Sequence, residues 1–150
     1  MTEPLYNTRI LRLAAEIPLQ ARLETPQASV QKVSPICGSR VTVDLDLDEG
    51  GRVKAFGQEV RACALGQASA SLLGERVMGQ SAGQLAAARD ALRLFLGDED
   101  GALPTGWEDY EVFAPARPHK ARHPSILLAL EAVTEAAEAA LTRNRKAAAE

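Results

Sequence analysis

Three side chains that could bind a metal or react with sulfur stand at the predicted ends of secondary-structure elements. Cys37 lies in a turn between the first two predicted strands, and Cys63 lies where a strand gives way to a helix. The start of a helix carries partial positive charge and free N–H groups, which favour the thiolate form of a cysteine. His123 precedes Pro124 at another predicted helix start, where the same charge favours the neutral ring that a metal ligand requires. Two thiolates and one imidazole are ligands suited to Zn²⁺ or to an iron–sulfur cluster.

Each of these residues also has a simpler interpretation. A cysteine is often a small buried residue of the core, and the spacing here does not match short metal motifs such as C-x2-C. His119 is expected to be solvated. Ser69 and Ser71 have no histidine near them in the sequence and are more typical of helix packing than of a nucleophilic site. The acids that alternate over residues 44–48 precede a Gly-Gly hairpin rather than an EF-hand loop, so a calcium site is not favoured.

Hydrophobic periodicity predicts the elements that must position these residues. Helical spacing predicts a first helix over residues 6–17, and residues 18–28 form a polar connector. From residue 29 to residue 61 the period is two, which predicts three strands and an antiparallel sheet. Further helices are predicted over residues 64–78, 81–97, 107–113 and 124–141, the short one closed by Pro115 and Pro118. The predicted fold class is therefore α+β, a three-stranded antiparallel sheet packed against several helices.

The second predicted strand shows the clearest alternation in the chain. Its apolar side chains would face the core, and Asp44, Asp46 and Asp48 would form an acidic face in contact with water. Gly57 falls in the middle of the third predicted strand and is expected to weaken it.

Composition limits the classes of protein that remain. The chain has 150 residues, a net charge of −3 and two cysteines, which argues for one domain and against a disulfide-rich secreted scaffold. The predicted domain spans residues 1–142, and residues 143–150 are expected to form a frayed tail. The charge also argues against a generally basic nucleic-acid binder. Because the sequence shows neither a signal peptide nor a long apolar run, a cytoplasmic location without membrane partners is expected.

The segments around the candidate residues resemble the IscU/NifU/SufU family of iron–sulfur cluster assembly scaffolds. The resemblance extends from about Tyr6 to Leu141 and is carried by residues 34–39 (SPICGS) and, most strongly, by residues 61–73 (RACALGQASASLL). It implies an IscU/NifU-like α+β domain on which iron and sulfur are assembled into a transient cluster. The sulfur would arrive as persulfide from a cysteine desulfurase, and the cluster would pass to acceptor proteins.

The resemblance also implies a ligand set, from which this sequence departs at two positions. The family uses three cysteines, an aspartate two residues after the first cysteine and often a histidine just before the third. Cys37 and Cys63 match the first two cysteines, and His123 matches the histidine. Ser39 stands where the aspartate is expected and Pro124 where the third cysteine is expected. The implied metal ligands are therefore Cys37, Cys63 and His123, with Ser39 as a weak or indirect ligand.

The sequence thus predicts a divergent scaffold-like protein that binds iron, an iron–sulfur cluster or zinc and accepts sulfur from a cysteine desulfurase. A cofactor-free adaptor for cluster-assembly partners is the alternative. Hydrolysis by a metal-activated water is a third possibility, but no general base is placed for it, so an enzyme is not favoured. No nucleic-acid partner is expected.

Overall fold

A computed structural model of the protein describes residues 4–35, 38–98 and 100–149. Within these ranges the chain forms one antiparallel sheet of three strands in the order β1-β2-β3, with four α-helices and two 3₁₀ segments. This architecture confirms the predicted α+β class. In chain order the elements are α1 (Thr8–Ala15), β1 (Ala28–Val33), β2 (Arg40–Leu47), β3 (Val53–Arg61), α2 (Ala64–Arg76), α3 (Ala82–Gly97), the 3₁₀ segments Glu108–Ala116 and Lys120–Arg122, and α4 (His123–Ala149).

The core lies between one face of the sheet and the helices. The apolar residues of β2 (Val41, Val43, Leu45 and Leu47) are buried on this face, as their alternation predicted, and α4 packs against β1 and β2. Helix α2 has small buried side chains on several sides and contacts both α1 and α4. Small side chains let helix backbones approach closely, so α2 can pack tightly against both of these helices.

The other face of β2 is not the water-facing acidic surface that the alternation predicted. Asp44 is completely buried, because the connector between α1 and β1 crosses this face of the sheet. We call residues 18–27 of this connector the strap. Gly57 pairs with Asp44 in the neighbouring strand, and a Cβ atom at Gly57 would lie only 2.1 Å from the carbonyl oxygen of Ala21. Gly57 therefore leaves the space that the strap backbone occupies.

An ion pair holds the middle of the strap. Arg22 donates from Nε and Nη2 to the Asp44 carboxylate at 2.6 and 3.2 Å, and the backbone N–H of Leu23 donates to the same carboxylate at 3.1 Å. Burial alone would raise the pKa of Asp44. The hydrogen bonds from Arg22, Ser29 and Leu23, together with the charge of Arg22, outweigh burial and hold that pKa below its ordinary value of 3.8.

Backbone hydrogen bonds fix the two ends of the strap. Near its start, the carbonyl of Leu19 accepts a hydrogen bond from the N–H of Gln58 in β3 at 2.9 Å. At its end, the N–H of Gln27 donates to the carboxylate of Asp46 at 2.8 Å, and the N–H of Leu47 donates to Gln27 Oε1 at 2.9 Å. The strap thus runs from the edge of β3 that does not pair with β2 to the face of β2 that points away from the helices.

Helices α2 and α3 begin where predicted, and α4 begins one residue before Pro124, but three elements end elsewhere: α2 at Arg76, the first 3₁₀ segment at Ala116 and α4 at Ala149. Ser81 and Gln84 form a capping box at the start of α3. The first 3₁₀ segment continues to Ala116, so Pro115 lies inside it and does not close it as predicted. A 3₁₀ helix bonds each N–H to the carbonyl three residues earlier, so Pro115 removes one such bond while the segment continues. Among the described residues, no helix has the length and apolarity needed to cross a membrane.

Helix α4 runs through most of the segment expected to be a frayed tail. It is helical to Ala149. Arg143 donates to the carbonyl of Gln27 at 3.0 Å, and Asn144 donates to Gln27 Oε1 at 3.1 Å. These bonds connect the last part of α4 to the end of the strap, which accounts for the longer helix.

A candidate metal and sulfur site

The first segment of the candidate site is the loop between β1 and β2. The loop closes with a hydrogen bond from the Ser34 N–H to the Ser39 carbonyl at 2.8 Å and another from the Gly38 N–H to the Ser34 carbonyl at 2.9 Å. Gly38 has a φ of +73°, a conformation that glycine adopts without strain. Ser39 is buried. Cys37, the first predicted ligand, lies outside the described residues, so its position stays a prediction.

The second segment places Cys63 at the start of a helix, as predicted. Cys63 is the N-cap residue of α2, is partly buried and takes no part in a disulfide bond. Its segment leaves the sheet beside the β1–β2 loop, because Arg61 pairs directly with Arg40 and Ser39 precedes Arg40. The structure therefore brings Cys63 and Ser39 to the same end of the sheet. The Cys63 side chain forms no capping hydrogen bond with the first turn of α2.

The third segment supplies His123, the first residue of α4. Its Nε2 atom lies 2.9 Å from the carbonyl oxygen of Ala116 and 3.2 Å from that of Arg117. Carbonyl oxygens only accept hydrogen bonds, so Nε2 must carry the proton. In the neutral ring, Nδ1 then has the free lone pair. Histidine ligands in metal sites are commonly oriented by such a bond from the other ring nitrogen.

Close packing holds the starts of α2 and α4 side by side. A Cβ atom at Gly66 would lie 3.3 Å from the carbonyl oxygen of Ser125, so the two backbones approach closely there. One turn further along α2, the buried hydroxyl of Ser69 donates to the carbonyl of Ile126 at 2.6 Å. Cys63 precedes Gly66 by three residues, and His123 precedes Ser125 by two. The structure thus brings Ser39, Cys63 and His123 to one end of the molecule.

The described residues alone do not complete a metal site. Over residues 4–35, 38–98 and 100–149, no group of three histidine, cysteine, aspartate or glutamate side chains could hold a metal ion. Cys37 lies outside these ranges. The packing interpretation of Ser69 is confirmed by its bond to α4, and His119 is exposed as expected.

Sequence reasoning predicted a short helix over residues 107–113 but missed that the carbonyls at its end orient His123. The carbonyls of Ala116 and Arg117 accept the His123 ring because the chain leaves a regular helical path there. No pattern of residue types marks these two carbonyls, since the N–H that Pro118 lacks would pair three or four residues earlier, with Pro115 or Ala114.

Comparison with known proteins identifies the family. The family described as the NifU-like N terminal domain matches residues 5–105. A solved structure of a nitrogen-fixing NifU-like protein (N-terminal) from Brucella abortus is 41% identical, and the match covers 92% of this chain and 95% of that one with a TM-score of 0.85. A candidate iron–sulfur cluster assembly scaffold protein for the SUF system, from Fervidobacterium islandicum AW-1, shares the fold with 16% identity, a TM-score of 0.79, and coverage of 89% and 96%. No curated protein matches the chain. On this basis the chain belongs to the NifU-like N-terminal domain family.

Proposed function

We propose that this protein is a scaffold for iron–sulfur cluster assembly whose cargo is held by Cys37, Cys63 and His123. Family membership supports a scaffold-like function. The observation that supports the proposed site is the close contact between the starts of α2 and α4, the helices that begin next to Cys63 and at His123.

The proposed ligands would leave one coordination position of the bound metal unfilled by the protein. Two thiolates and one imidazole fill three positions of a four-coordinate iron or zinc ion and leave the fourth for sulfide or for a ligand from a partner. Pro124 has no ligating group, and the hydroxyl of Ser39 is not ionised near neutral pH. An incomplete set of ligands suits a cluster that is built and then passed on.

Sulfur would reach this site from a cysteine desulfurase. The thiolate of Cys63 or Cys37 attacks the outer sulfur of the persulfide on the desulfurase. A new S–S bond forms on the scaffold, the S–S bond of the donor breaks, and the donor cysteine leaves as a thiolate. The terminal sulfur keeps its charge, so the exchange needs no outside oxidant or reductant. An electron donor would then supply the two electrons that reduce the persulfide sulfur to the sulfide of a cluster, which releases the scaffold cysteine as a thiolate. Acceptor proteins would take the completed cluster, and these steps would occur in the cytoplasm.

Metal content and cluster reconstitution test the proposed site. The protein is purified without oxygen, its iron and zinc are measured, and it is treated with Fe²⁺ and sulfide while visible absorption is followed. We expect the Cys37→Ala, Cys63→Ala and His123→Ala variants to lose at least about tenfold in metal affinity. The His119→Ala variant removes an exposed histidine of the same segment and should match the wild type.

The same experiment separates the scaffold from the adaptor. Equal metal occupancy in wild type and Cys37→Ala would remove Cys37 from the site, and the same result for Cys63→Ala would remove Cys63. A wild-type protein that holds neither iron nor zinc after reconstitution, but still binds a cysteine desulfurase, would favour the adaptor. The absence of a cysteine and a carboxylate at positions 124 and 39 is the observation that keeps this second function in view.

A further inference from the structure

The three segments that form the site are free of acidic residues. Residues 25–43, 60–74 and 112–130 contain six of the 17 basic residues and none of the 20 acidic ones. The rest of the chain holds 11 basic and 20 acidic residues, a net charge of −9. The charge is therefore strongly segregated: the segments that carry Cys37, Cys63 and His123 have a net charge of +6, whereas the rest of the chain is net negative.

The end of the sheet presents part of this charge on one face. Val33, Arg40 and Arg61 are paired in register across β1, β2 and β3, so their side chains lie in one row on the outer face. All three are exposed, with Val33 at 47%. Like charges directly opposite each other destabilise a sheet, so the Arg40–Arg61 pair has an energetic cost. A bound anionic surface would remove that cost.

The start of α4 adds two more cations next to the site. Lys120 and Arg122 are exposed and immediately precede His123. Within the described part of the chain, no carboxylate lies within 4.0 Å of the side-chain nitrogens of Arg40, Lys120 or Arg122. Arg61 has an ion pair with Glu59 at 3.4 Å, but its side chain is 75% exposed, so solvent weakens this pair.

We propose that Arg40, Arg61, Lys120 and Arg122 form a cationic rim that docks an acidic protein surface over the site. Interfaces are enriched in arginine and include apolar contacts, and the exposed Val33 lies beside Arg40 in the same row. A nucleic acid fits less well, because an extended polyanion would also meet the acidic remainder of the molecule. The placement of the partner over the cargo rests on the proposed function, whereas the binding of an acidic surface does not.

An acidic peptide of ten glutamates is the probe that tests the rim. Backbone NMR spectra of the whole protein are recorded during titration at about 50 mM salt, where screening is moderate. We expect the largest shifts at Val33, Arg40, Arg61, Lys120 and Arg122, and binding that weakens steeply as salt is raised. The rim variants Arg40→Glu with Arg61→Glu, and Lys120→Glu with Arg122→Glu, should each weaken binding at least tenfold.

A matched control lies at the other end of the molecule. Lys54 and Arg145 are exposed beside the β2–β3 hairpin, and reversing both changes the net charge by the same amount. Binding by this control should stay within twofold of wild type, and a loss equal to that of the rim variants would overturn the proposal. A ten-nucleotide thymidine strand that binds the rim as tightly as the peptide would overturn the assignment to a protein surface.

Metal loading keeps this proposal separate from the proposed function. The rim variants should reconstitute iron and sulfide as the wild type does, because no rim residue is a proposed ligand. Normal loading with lost peptide binding supports the rim. Normal peptide binding by Cys63→Ala would show that the rim binds acidic surfaces without cargo. Peptide binding that is unaffected in both rim variants would refute the rim but leave the proposed function intact.

Discussion

The ion pair under the strap gives the sharpest test of the fold. We choose Asp44→Asn because the amide has nearly the shape of the carboxylate but no charge. In the wild type, Asp44 is fully buried and receives two hydrogen bonds from Arg22 and one from the Leu23 N–H. The variant keeps one acceptor oxygen but directs an NH₂ group toward donors. The strap should therefore lose its central attachment.

The expected cost follows from the burial of the two partners. Removing one partner of a buried ion pair costs about 3–5 kcal/mol when the other charge stays buried. Here the other charge can turn into water, because the Arg22 side chain is 48% exposed. We therefore expect Asp44→Asn to lower the free energy of unfolding by about 2 kcal/mol, below the fully buried range.

Urea unfolding followed by circular dichroism measures this cost. Asp90→Asn is the control, since Asp90 has a similar pair with Arg89 on an exposed surface, where changes stay within about 0.5 kcal/mol. Because the pKa of Asp44 is below 3.8 in the folded protein, its contribution is complete above pH 3.8 and is lost as pH falls through the lowered pKa. The difference between wild type and Asp44→Asn should shrink over that range. Equal stability of the two at pH 7 would refute the role given to the strap.

Three further substitutions test other contacts. Gly57→Ala places a Cβ atom 2.1 Å from the Ala21 carbonyl, so we expect about 1–3 kcal/mol of destabilisation and faster proteolysis within the strap; unchanged digestion would contradict this contact. Gly66→Ala places a Cβ atom 2.8 Å from the Ala62 Cβ and 3.3 Å from the Ser125 carbonyl oxygen, so it should shift the start of α2 relative to α4 and lower iron and zinc occupancy while the circular dichroism spectrum stays native. Gly83→Ala in α3 has open space, with the nearest atom 3.9 Å away, and should leave occupancy unchanged. Ser81→Ala removes the capping box of α3 and should cost about 1 kcal/mol in thermal or urea unfolding; a cost near zero would show that the box adds little.

Periodicity predicted the sheet and most of the helices because one buried face sets the spacing of apolar residues along each element. It could not predict the strap, which has no periodic pattern of its own. The alternation around Asp44 correctly predicted a strand with one buried face. It could not show that the strap covers the opposite face as well, where Asp44 is buried. Gly57 was the available signal, and it was interpreted as a weak point in a strand although it marks a close backbone approach.

The candidate site was predictable only in its parts. Capping rules and Pro124 placed Cys63 and His123 at helix starts from local sequence alone. Their proximity depends on the contact of Gly66 with the Ser125 carbonyl, which joins residues far apart in the chain. Likewise, the tautomer of His123 depends on a carbonyl seven residues earlier that no pattern of residue types marks.

The strap also has a consequence for self-association. An uncovered strand edge offers unpaired N–H and C=O groups to other chains and is a common route to aggregation. The outer edge of β3 is covered twice, by the Leu19 carbonyl on the Gln58 N–H and by the Gln80 carbonyl on the Val53 N–H. Strand addition is thereby directed away from β3 toward β1, a strand of six residues. The strap thus makes the sheet one-sided toward other strands, with β1 as the edge at which another chain could pair.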